Sequence, residues 1–262
     1  MDLGLTGKVA LITGASKGLG KAIAVELANE GAHVSICARG QEALDETAAA
    51  LRKQGATVVA ACADVTQTAD AQRVVDATIQ QLGRIDILVN NAGDIWMGRA
   101  IETTDEEWQY CMDVNFYSAV RFTRAVVPHM REQGGGRIIN ISTVGARMPL
   151  PGCVDYNSAK TALLGFSKTM AEELGPDGIL VNSVCPAIVA SPMLDKLADQ
   201  LVPAMGRDRE DVLKNLANQF STLNRCGRED EVSGLIAFLA SERATYITGS
   251  VYDVDGGFHK GL

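Results

Sequence analysis

The sequence has few of the residues that mark disulfide-rich or metal-binding proteins. Its 262 residues include only 6 Cys and 3 His, and aromatic side chains make up 5%. The cysteines lie tens of residues apart, without a C-x-x-C pair or a neighbouring histidine cluster, so neither a disulfide framework nor a metal site is predicted. Glycine is enriched at 26 residues but has no period, and the 47% hydrophobic share excludes a disordered chain.

Positive charge is also scarce. The formal net charge is −8 and the isoelectric point is about 5.0. Without a basic face, the chain is not expected to bind nucleic acid or an anionic membrane surface. Its first residues are not expected to act as a signal peptide, and no apolar run is long enough to cross a bilayer. We therefore expect a cytoplasmic protein.

Short apolar runs alternate with longer amphipathic stretches along the chain. The runs are mostly continuous, which is typical of strands covered on both faces. They lie at 9–13, 33–37, 57–61, 86–90, 137–141, 179–184 and 251–254. This alternation predicts an α/β fold, a doubly wound (Rossmann), mostly parallel seven-stranded sheet with helices on both faces. No linker divides the chain, so we expect a single domain over residues 1–262.

Residues 191–224 form a longer insert before the last strand. They contain two stretches with helical spacing, at 191–205 and 208–220. In an open α/β sheet, an insert near the carboxyl end of a strand is well placed to cover a ligand. We predict a helical substrate lid, and two surface helices without that role are the alternative.

A glycine-rich turn follows the first predicted strand. It has the sequence TGASKGLG over residues 13–20, and a helical pattern begins directly after it. Glycines permit a tight turn and let the backbone approach a pyrophosphate, which the helix N-terminus then stabilises. This order of strand, glycine turn and helix predicts a dinucleotide site.

The same turn matches the pattern T-G-x-x-x-G-x-G, and the whole chain resembles the short-chain dehydrogenase/reductase family. The other motifs that carry the resemblance are Asp64-Val65, N-N-A-G at 90–93, Asn115, Y-N-S-A-K at 156–160, C-P-A at 185–187 and D-G-G at 255–257. The chain is similar in particular to members such as the 3-oxoacyl-carrier-protein reductases. The resemblance implies an oxidoreductase that is usually a homotetramer.

The end of the second predicted strand indicates which nicotinamide cofactor is used. An acidic residue there would accept hydrogen bonds from the adenosine 2′-hydroxyl, but this chain has Arg39. Arg39 can bind a 2′-phosphate in a bidentate manner, and Lys17 can add a second cation. We therefore predict NADP(H), with NAD(H) as the alternative. The cofactor-binding residues implied by the motifs and the resemblance are Gly14, Ser16, Lys17, Gly18, Leu19, Gly20, Arg39, Asp64, Val65, Asn90, Asn91, Ala92, Gly93, Tyr156, Lys160, Val189 and Ser191.

Tyr156 and Lys160 are four residues apart on a predicted helix, so their side chains share one face. A phenol with a pKa of about 10 is a weak base at neutral pH, and a nearby ammonium is expected to lower that pKa. Tyr156 is then predicted to exchange a proton with the substrate oxygen as the general acid/base.

A third catalytic hydroxyl is implied by the resemblance. The family usually has a serine thirteen residues before the tyrosine, and here that position is Thr143. We assign the role to Thr143, with Ser142 as the alternative if the intervening loop carries an insertion. The resemblance also implies that Asn115 interrupts a helix and holds a water linked to Lys160.

The substrate is expected to be a small ketone or secondary alcohol of largely apolar character, because the residues predicted to contact it are mainly apolar. The candidates are Asp94, Trp96, Cys153 and Met193. Hydride would pass between NADP(H) and this substrate. The alternative, suggested by the missing serine, is a regulatory or interaction module that binds NADP with little or no turnover.

Overall fold

The structure is a computed structural model that describes residues 2–95, 101–149 and 151–261. Within these residues, seven strands form one sheet in which all neighbours are parallel. The strands are β1 (Val9–Thr13), β2 (His33–Ala38), β3 (Val58–Cys62), β4 (Ile87–Asn90), β5 (Gly136–Ile141), β6 (Ile179–Pro186) and β7 (Val251–Val254). Each apolar run predicted as a strand is a strand, and the predicted doubly wound sheet is confirmed.

Helices cover both faces of the sheet. In the described part of the chain they are α1 (Gly18–Asn29), α2 (Gln41–Lys53), α3 (Thr68–Leu82), α4 (Asp105–Met112), α5 (Ser118–Glu132), α6 (Val154–Leu174), α7 (Pro192–Met205), α8 (Arg209–Phe220) and α9 (Glu229–Ala240). None of these helices is long and apolar enough to cross a bilayer.

The core has two apolar layers, one on each face of the sheet. Successive side chains of β1 point to opposite faces, so Ala10 and Ile12 pack into one layer and Leu11 into the other. The first layer includes Ile23 of α1, and the second includes Phe122 of α5. Burial on both faces explains why the strands appear in the sequence as continuous apolar runs.

The strand order β3-β2-β1-β4-β5-β6-β7 reverses direction between β1 and β4. The connections after these two strands leave the sheet on opposite sides, so a crevice opens at their carboxyl ends. In open α/β sheets ligands bind in this crevice, and the glycine turn at residues 13–20 lies beside it.

The thiol of Cys37, at the end of β2, is expected to make the fold sensitive to alkali. Burial raises the pKa of this thiol to about 12. The unfolded chain therefore loses the proton near pH 9 while the folded chain keeps it, so stability falls as the pH rises through this range. We expect the stability advantage of the wild type over Cys37→Ala to shrink by about 1.4 kcal/mol per pH unit above pH 9.

Urea unfolding of both chains at pH 7, 8, 9 and 10 measures this difference. Other titrating groups are shared by the two chains and cancel in the comparison. An advantage that is the same at pH 7 and at pH 10 would contradict the prediction.

Candidate active site

A cavity of about 300 Å³ opens at the carboxyl ends of β1, β4, β5 and β6. Its wall combines polar groups near the strand ends with apolar side chains from the two helices that follow β6. Many residues that the sequence predicted for the cofactor, catalytic and substrate sites line this cavity. Among the residues that the structure describes, they are Gly14, Lys17, Gly18, Leu19, Gly20, Asn91, Ala92, Gly93, Ser142, Thr143, Tyr156, Lys160, Val189, Ser191 and Met193. The sheet thus brings together residues that lie far apart in the sequence.

The glycine turn forms one wall of the cavity. Gly14 has φ +67°, a left-handed conformation that favours glycine, and a Cβ there would lie 2.9 Å from the Cα of Ala92. Helix α1 begins at Gly18, and its first three residues line the cavity. The N–H groups of a helix's first turn have no partner within the helix, so this wall can bind a phosphate.

Asn91 ties the end of β4 to this turn. Its side-chain amide donates to the carbonyl oxygens of Thr13, at 2.9 Å, and Gly14, at 3.2 Å. The Thr13 hydroxyl accepts from the backbone N–H groups of Asn91 and Ala92. Asn90 differs from its neighbour, because its buried side chain donates to Asn140 at 2.8 Å. The side chain of Asn90 therefore braces β4 against β5 and does not line the cavity.

Tyr156 and Lys160 lie on the first turns of α6, as the sequence predicted. Both side chains are buried, and the Lys160 Nζ lies 5.9 Å from the centroid of the Tyr156 ring. Lys160 Nζ donates to the carbonyl oxygen of Ile141 at 2.9 Å. This bond fixes the ammonium between β5 and the phenol.

Burial determines the protonation of this pair. It raises the pKa of Tyr156, and it lowers that of Lys160 to about 8. The sequence suggested a lowered pKa for Tyr156, and the structure corrects this, because desolvation of the buried phenol raises that pKa. A hydrogen bond with Thr143 acts in the lowering direction.

Thr143 and Ser142 have different surroundings although both reach the cavity wall. The Ser142 hydroxyl donates to the Lys160 carbonyl at 3.0 Å and is buried. The Thr143 hydroxyl lies beside that of Tyr156 and accepts from the Gly145 N–H at 3.3 Å. Side chains alternate along an extended chain, so only Thr143 is turned toward the phenol.

Asn115 interrupts the helical segment between α4 and α5, as the family resemblance implied. Residues Asp113–Tyr117 form a π-helical turn, a feature that is common at functional sites. The Asn115 side chain is buried, donates to the Asp94 carbonyl at 2.9 Å and accepts from the Asp94 N–H at 3.1 Å. It thereby holds the chain that leaves β4 next to Lys160.

Arg39 and Asp64 lie at the ends of β2 and β3, outside the described cavity wall. The exposed Arg39 guanidinium donates to the Tyr110 hydroxyl at 2.8 Å, and its backbone carbonyl accepts from Cys62. The Asp64 carboxylate accepts from the Thr66 backbone and hydroxyl, so it stabilises its own turn. Ser16 and Val65 also lie outside the described cavity wall. The Ser16 carbonyl accepts from the Thr47 hydroxyl, and Val65 is buried.

The predicted substrate contacts are only partly brought to the cavity. Met193 lines it, whereas Trp96 lies outside the described residues. Asp94 is not in the described wall, because its carboxylate pairs with Lys196 of α7 at 2.7 Å. Cys153 is also outside it, because it packs in a buried cluster with Tyr156.

Several apolar residues that line the cavity were not predicted from the sequence. They are Leu197, Leu216, Phe220 and Phe258. The first three lie in the insert at 191–224, where the helical spacing could have indicated which side chains face inward. No motif marks Phe258, which follows the last strand.

The comparisons with known proteins agree with this geometry. A family model described as short chain dehydrogenase matches residues 8–201. The chain belongs to the short-chain dehydrogenase/reductase family. It is therefore an oxidoreductase of the class that interconverts carbonyl and alcohol groups with a nicotinamide cofactor, and the predicted family is confirmed.

Similar proteins within this family act on different molecules. The chain is 40% identical to the short-chain reductase protein NovJ of Streptomyces niveus over 250 residues, which cover 95% of this chain and 93% of NovJ. It is 40% identical to L-sorbose reductase from Gluconobacter frateurii, solved with NADPH and L-sorbose, with a TM-score of 0.96 and both chains fully covered. The 3-ketoacyl-(acyl-carrier-protein) reductase from Brucella melitensis, solved with NADH, is 32% identical, with a TM-score of 0.87 and 97% and 98% coverage.

Proposed function

We propose that the protein transfers hydride between NADP(H) and the ketone or secondary alcohol group of a largely apolar small molecule. The observation that carries the proposal is the meeting of Tyr156, Thr143 and Lys160 in one cavity with the glycine turn. Direct measurement of NADPH consumption with a panel of ketones tests it. No consumption with any ketone would exclude the proposal.

The residues of the cavity wall suit the phosphates and a ribose of a dinucleotide. A Cβ at Gly20 would lie 2.3 Å from the Gly14 carbonyl oxygen, and one at Gly93 would lie 2.8 Å from Asn115 Oδ1. These close contacts require glycine, so that the start of α1 and the chain after β4 can pack tightly along the wall that a pyrophosphate and a ribose would approach. A nicotinamide bound in this cavity would supply or accept the hydride.

The side chains of the site then have separate roles in the proposed reaction. The Tyr156 hydroxyl is protonated at neutral pH, as an ordinary phenol is, and burial raises its pKa further; it donates a proton to the substrate oxygen during reduction. The Thr143 hydroxyl orients and polarises the carbonyl. Lys160, with a pKa of about 8, is mainly an ammonium at pH 7 and stabilises negative charge that develops on the phenol. Asn115 is a positioning residue that holds the chain after β4 beside Lys160.

The preference for NADP(H) is supported by Arg39. Its guanidinium follows β2, the place where an acidic residue would select NAD(H), and the Tyr110 hydroxyl accepts one of its N–H groups. The remaining donors can bind a 2′-phosphate. Relatives were solved with either cofactor, NADPH in the sorbose reductase and NADH in the Brucella reductase.

We expect Arg39→Ala to lower kcat/KM for NADPH by about 10- to 100-fold, since a charge-assisted contact with a phosphate is lost. The kcat/KM for NADH should change by less than about threefold, because NADH lacks this phosphate. Initial rates with both nucleotides measure the effect. Lys53→Ala, which removes an equal charge from an exposed position of α2, is the matched control. A wild type that prefers NADH would refute the assignment.

Thr143→Ala is expected to lower kcat by about 10²-fold, because a hydrogen bond to the developing charge is lost. Thr143→Ser keeps the hydroxyl and should retain most of the activity. Ser142→Ala should have a smaller effect than Thr143→Ala, because the Ser142 hydroxyl is bonded to the Lys160 carbonyl. Steady-state rates of the three variants test the assignment, which fails if only Ser142→Ala abolishes turnover.

The largely apolar substrate is supported by the side chains of α7 and α8 in the cavity wall. Leu194, Leu197 and Leu216 contribute hydrocarbon surface, which offers no partners for the hydroxyl groups of a sugar or for a phosphate. The lid role of residues 191–224, the homotetramer and the cytoplasmic location stay predictions.

A further inference from the structure

The segment that follows the last strand contributes an aromatic ring to the cavity. Phe258 lines the wall together with Phe220, the last residue of α8. The ring centroids are 5.2 Å apart and the planes are inclined by 77°, an edge-to-face arrangement. Both rings are half-buried and share this cavity with Tyr156. Two distant parts of the chain thus build one aromatic wall.

Hydrogen bonds hold Phe258 in this position. The Asp255 carboxylate accepts from the backbone N–H groups of Gly257, at 2.9 Å, and His259, at 2.6 Å. These residues flank Phe258, so the turn that carries the ring is fixed on both sides. His259 Nδ1 also lies 3.3 Å from Asp253 of β7, which ties the same turn to the sheet.

The same turn is attached to the chain directly after α8. The Thr222 hydroxyl donates to the Gly257 carbonyl at 2.7 Å, and the Thr222 N–H donates to the Gly256 carbonyl at 2.8 Å. Gly256 has φ +61°, and a Cβ there would lie 2.4 Å from Ser221 Oγ. The close approach requires glycine. The relative position of Phe220 and Phe258 is therefore set by the backbone.

We propose that Phe220 and Phe258 determine substrate specificity by accepting an aryl substituent of the ketone. The inference rests on the proposed function and names its substrate class. Aromatic groups pack well against an existing edge-to-face pair, since the ring edges and faces offer complementary charge. The leucine side chains of α7 and α8 extend the same apolar surface. A polyhydroxylated ketone would lose hydrogen bonds to water here without replacement.

The test compares kcat/KM of the wild type and Phe258→Ala for three ketones with NADPH. Acetophenone carries an aryl group, butanone is a small apolar ketone, and L-sorbose is a polyhydroxylated one. The wild type should favour acetophenone over both others by at least about tenfold, on the scale of one buried aromatic contact. Phe258→Ala should lower kcat/KM for acetophenone by about tenfold or more, mainly through a higher KM. It should change kcat/KM for butanone by less than about threefold.

Two further variants separate specificity from folding. Phe258→Leu keeps apolar volume without a ring and should give an intermediate loss for acetophenone. Phe166→Ala removes one ring of another edge-to-face pair, with Phe116 at 6.0 Å and 88°, and Phe166 is not in the described cavity wall. Phe166→Ala should leave the ratio of kcat/KM for acetophenone to kcat/KM for butanone unchanged.

The outcomes distinguish the inference from the proposed function. A wild type that reduces ketones but favours L-sorbose overturns the inference alone. Equal losses for acetophenone and butanone in Phe258→Ala and Phe258→Leu, or no loss in either, also overturn it. A wild type that reduces none of a broad ketone panel with either nucleotide overturns the proposed function and the inference together.

Discussion

Tyr156→Phe is expected to lower kcat by about 10²- to 10⁴-fold, the range observed when a general acid/base is removed. The ring and its packing are kept, and only the hydroxyl that reaches Thr143 is lost. Phenylalanine cannot donate a proton to the substrate oxygen. The loss should therefore appear in kcat.

The affinity for NADPH should change far less in this variant. The glycine turn and Lys160 remain in place, and the backbone of α6 is unaltered. Titration of each protein with NADPH, followed by nucleotide fluorescence, gives the dissociation constant without turnover. Tyr246→Phe, at a fully exposed position, is the matched control and should retain full activity. A Tyr156→Phe enzyme with more than about a tenth of the wild-type kcat would contradict the assigned role.

The pH dependence of this reaction should follow Lys160 in addition to the phenol. The pKa of Lys160 is about 8 because burial disfavours the charged form of the amine. The ammonium is lost as the pH rises through 8, so its stabilisation of charge on the phenol is lost over the same range. In the proposed mechanism, the negative charge that develops on Tyr156 is thus stabilised by Lys160, which titrates close to neutral pH.

The sequence was sufficient for the fold because each strand carries its own signal. A strand buried on both faces is apolar at nearly every position, and β1, with the sequence VALIT, shows such a run without reference to the rest of the chain. Right-handed crossovers limit the possible strand orders but do not choose one of them, so the observed order is a result of the structure. The glycine turn and the spacing of Tyr156 and Lys160 are local patterns as well, so their positions could also be predicted.

The parts of the site that depend on distant contacts could not be predicted in this way. Asp94 was expected to contact substrate, but it pairs with Lys196, which lies on α7. Phe258 reaches the cavity only because Thr222 and Asp255 fix the turn that carries it. The pKa of Tyr156 also depends on burial by the whole fold, which raises it, whereas the spacing of Tyr156 and Lys160 in the sequence suggested a lowered pKa. A single sequence shows neither these pairings nor the degree of desolvation.

Gly20→Ala is expected to disrupt the glycine turn, although alanine is a better helix former than glycine. A Cβ at this buried position would lie 2.3 Å from the Gly14 carbonyl oxygen and 2.5 Å from Asn91 Nδ2. The carbonyl belongs to the backbone, so α1 or the turn has to move, and the bond between Asn91 and Gly14 is strained. We expect a net loss of about 1–3 kcal/mol of stability, since overpacking outweighs the gain in helix propensity.

The same displacement should weaken NADPH binding by about 10- to 100-fold, because the N–H groups at the start of α1 would no longer point at the phosphates together. Urea unfolding and nucleotide titration measure the two effects separately. Gly234→Ala, on an exposed face of α9 with nothing within 4 Å of the new Cβ, is the matched control. It should stabilise the protein by up to about 1 kcal/mol and leave NADPH affinity unchanged, since only helix propensity is altered. If Gly20→Ala behaves like this control, the close packing of α1 against the turn is not what shapes the phosphate site.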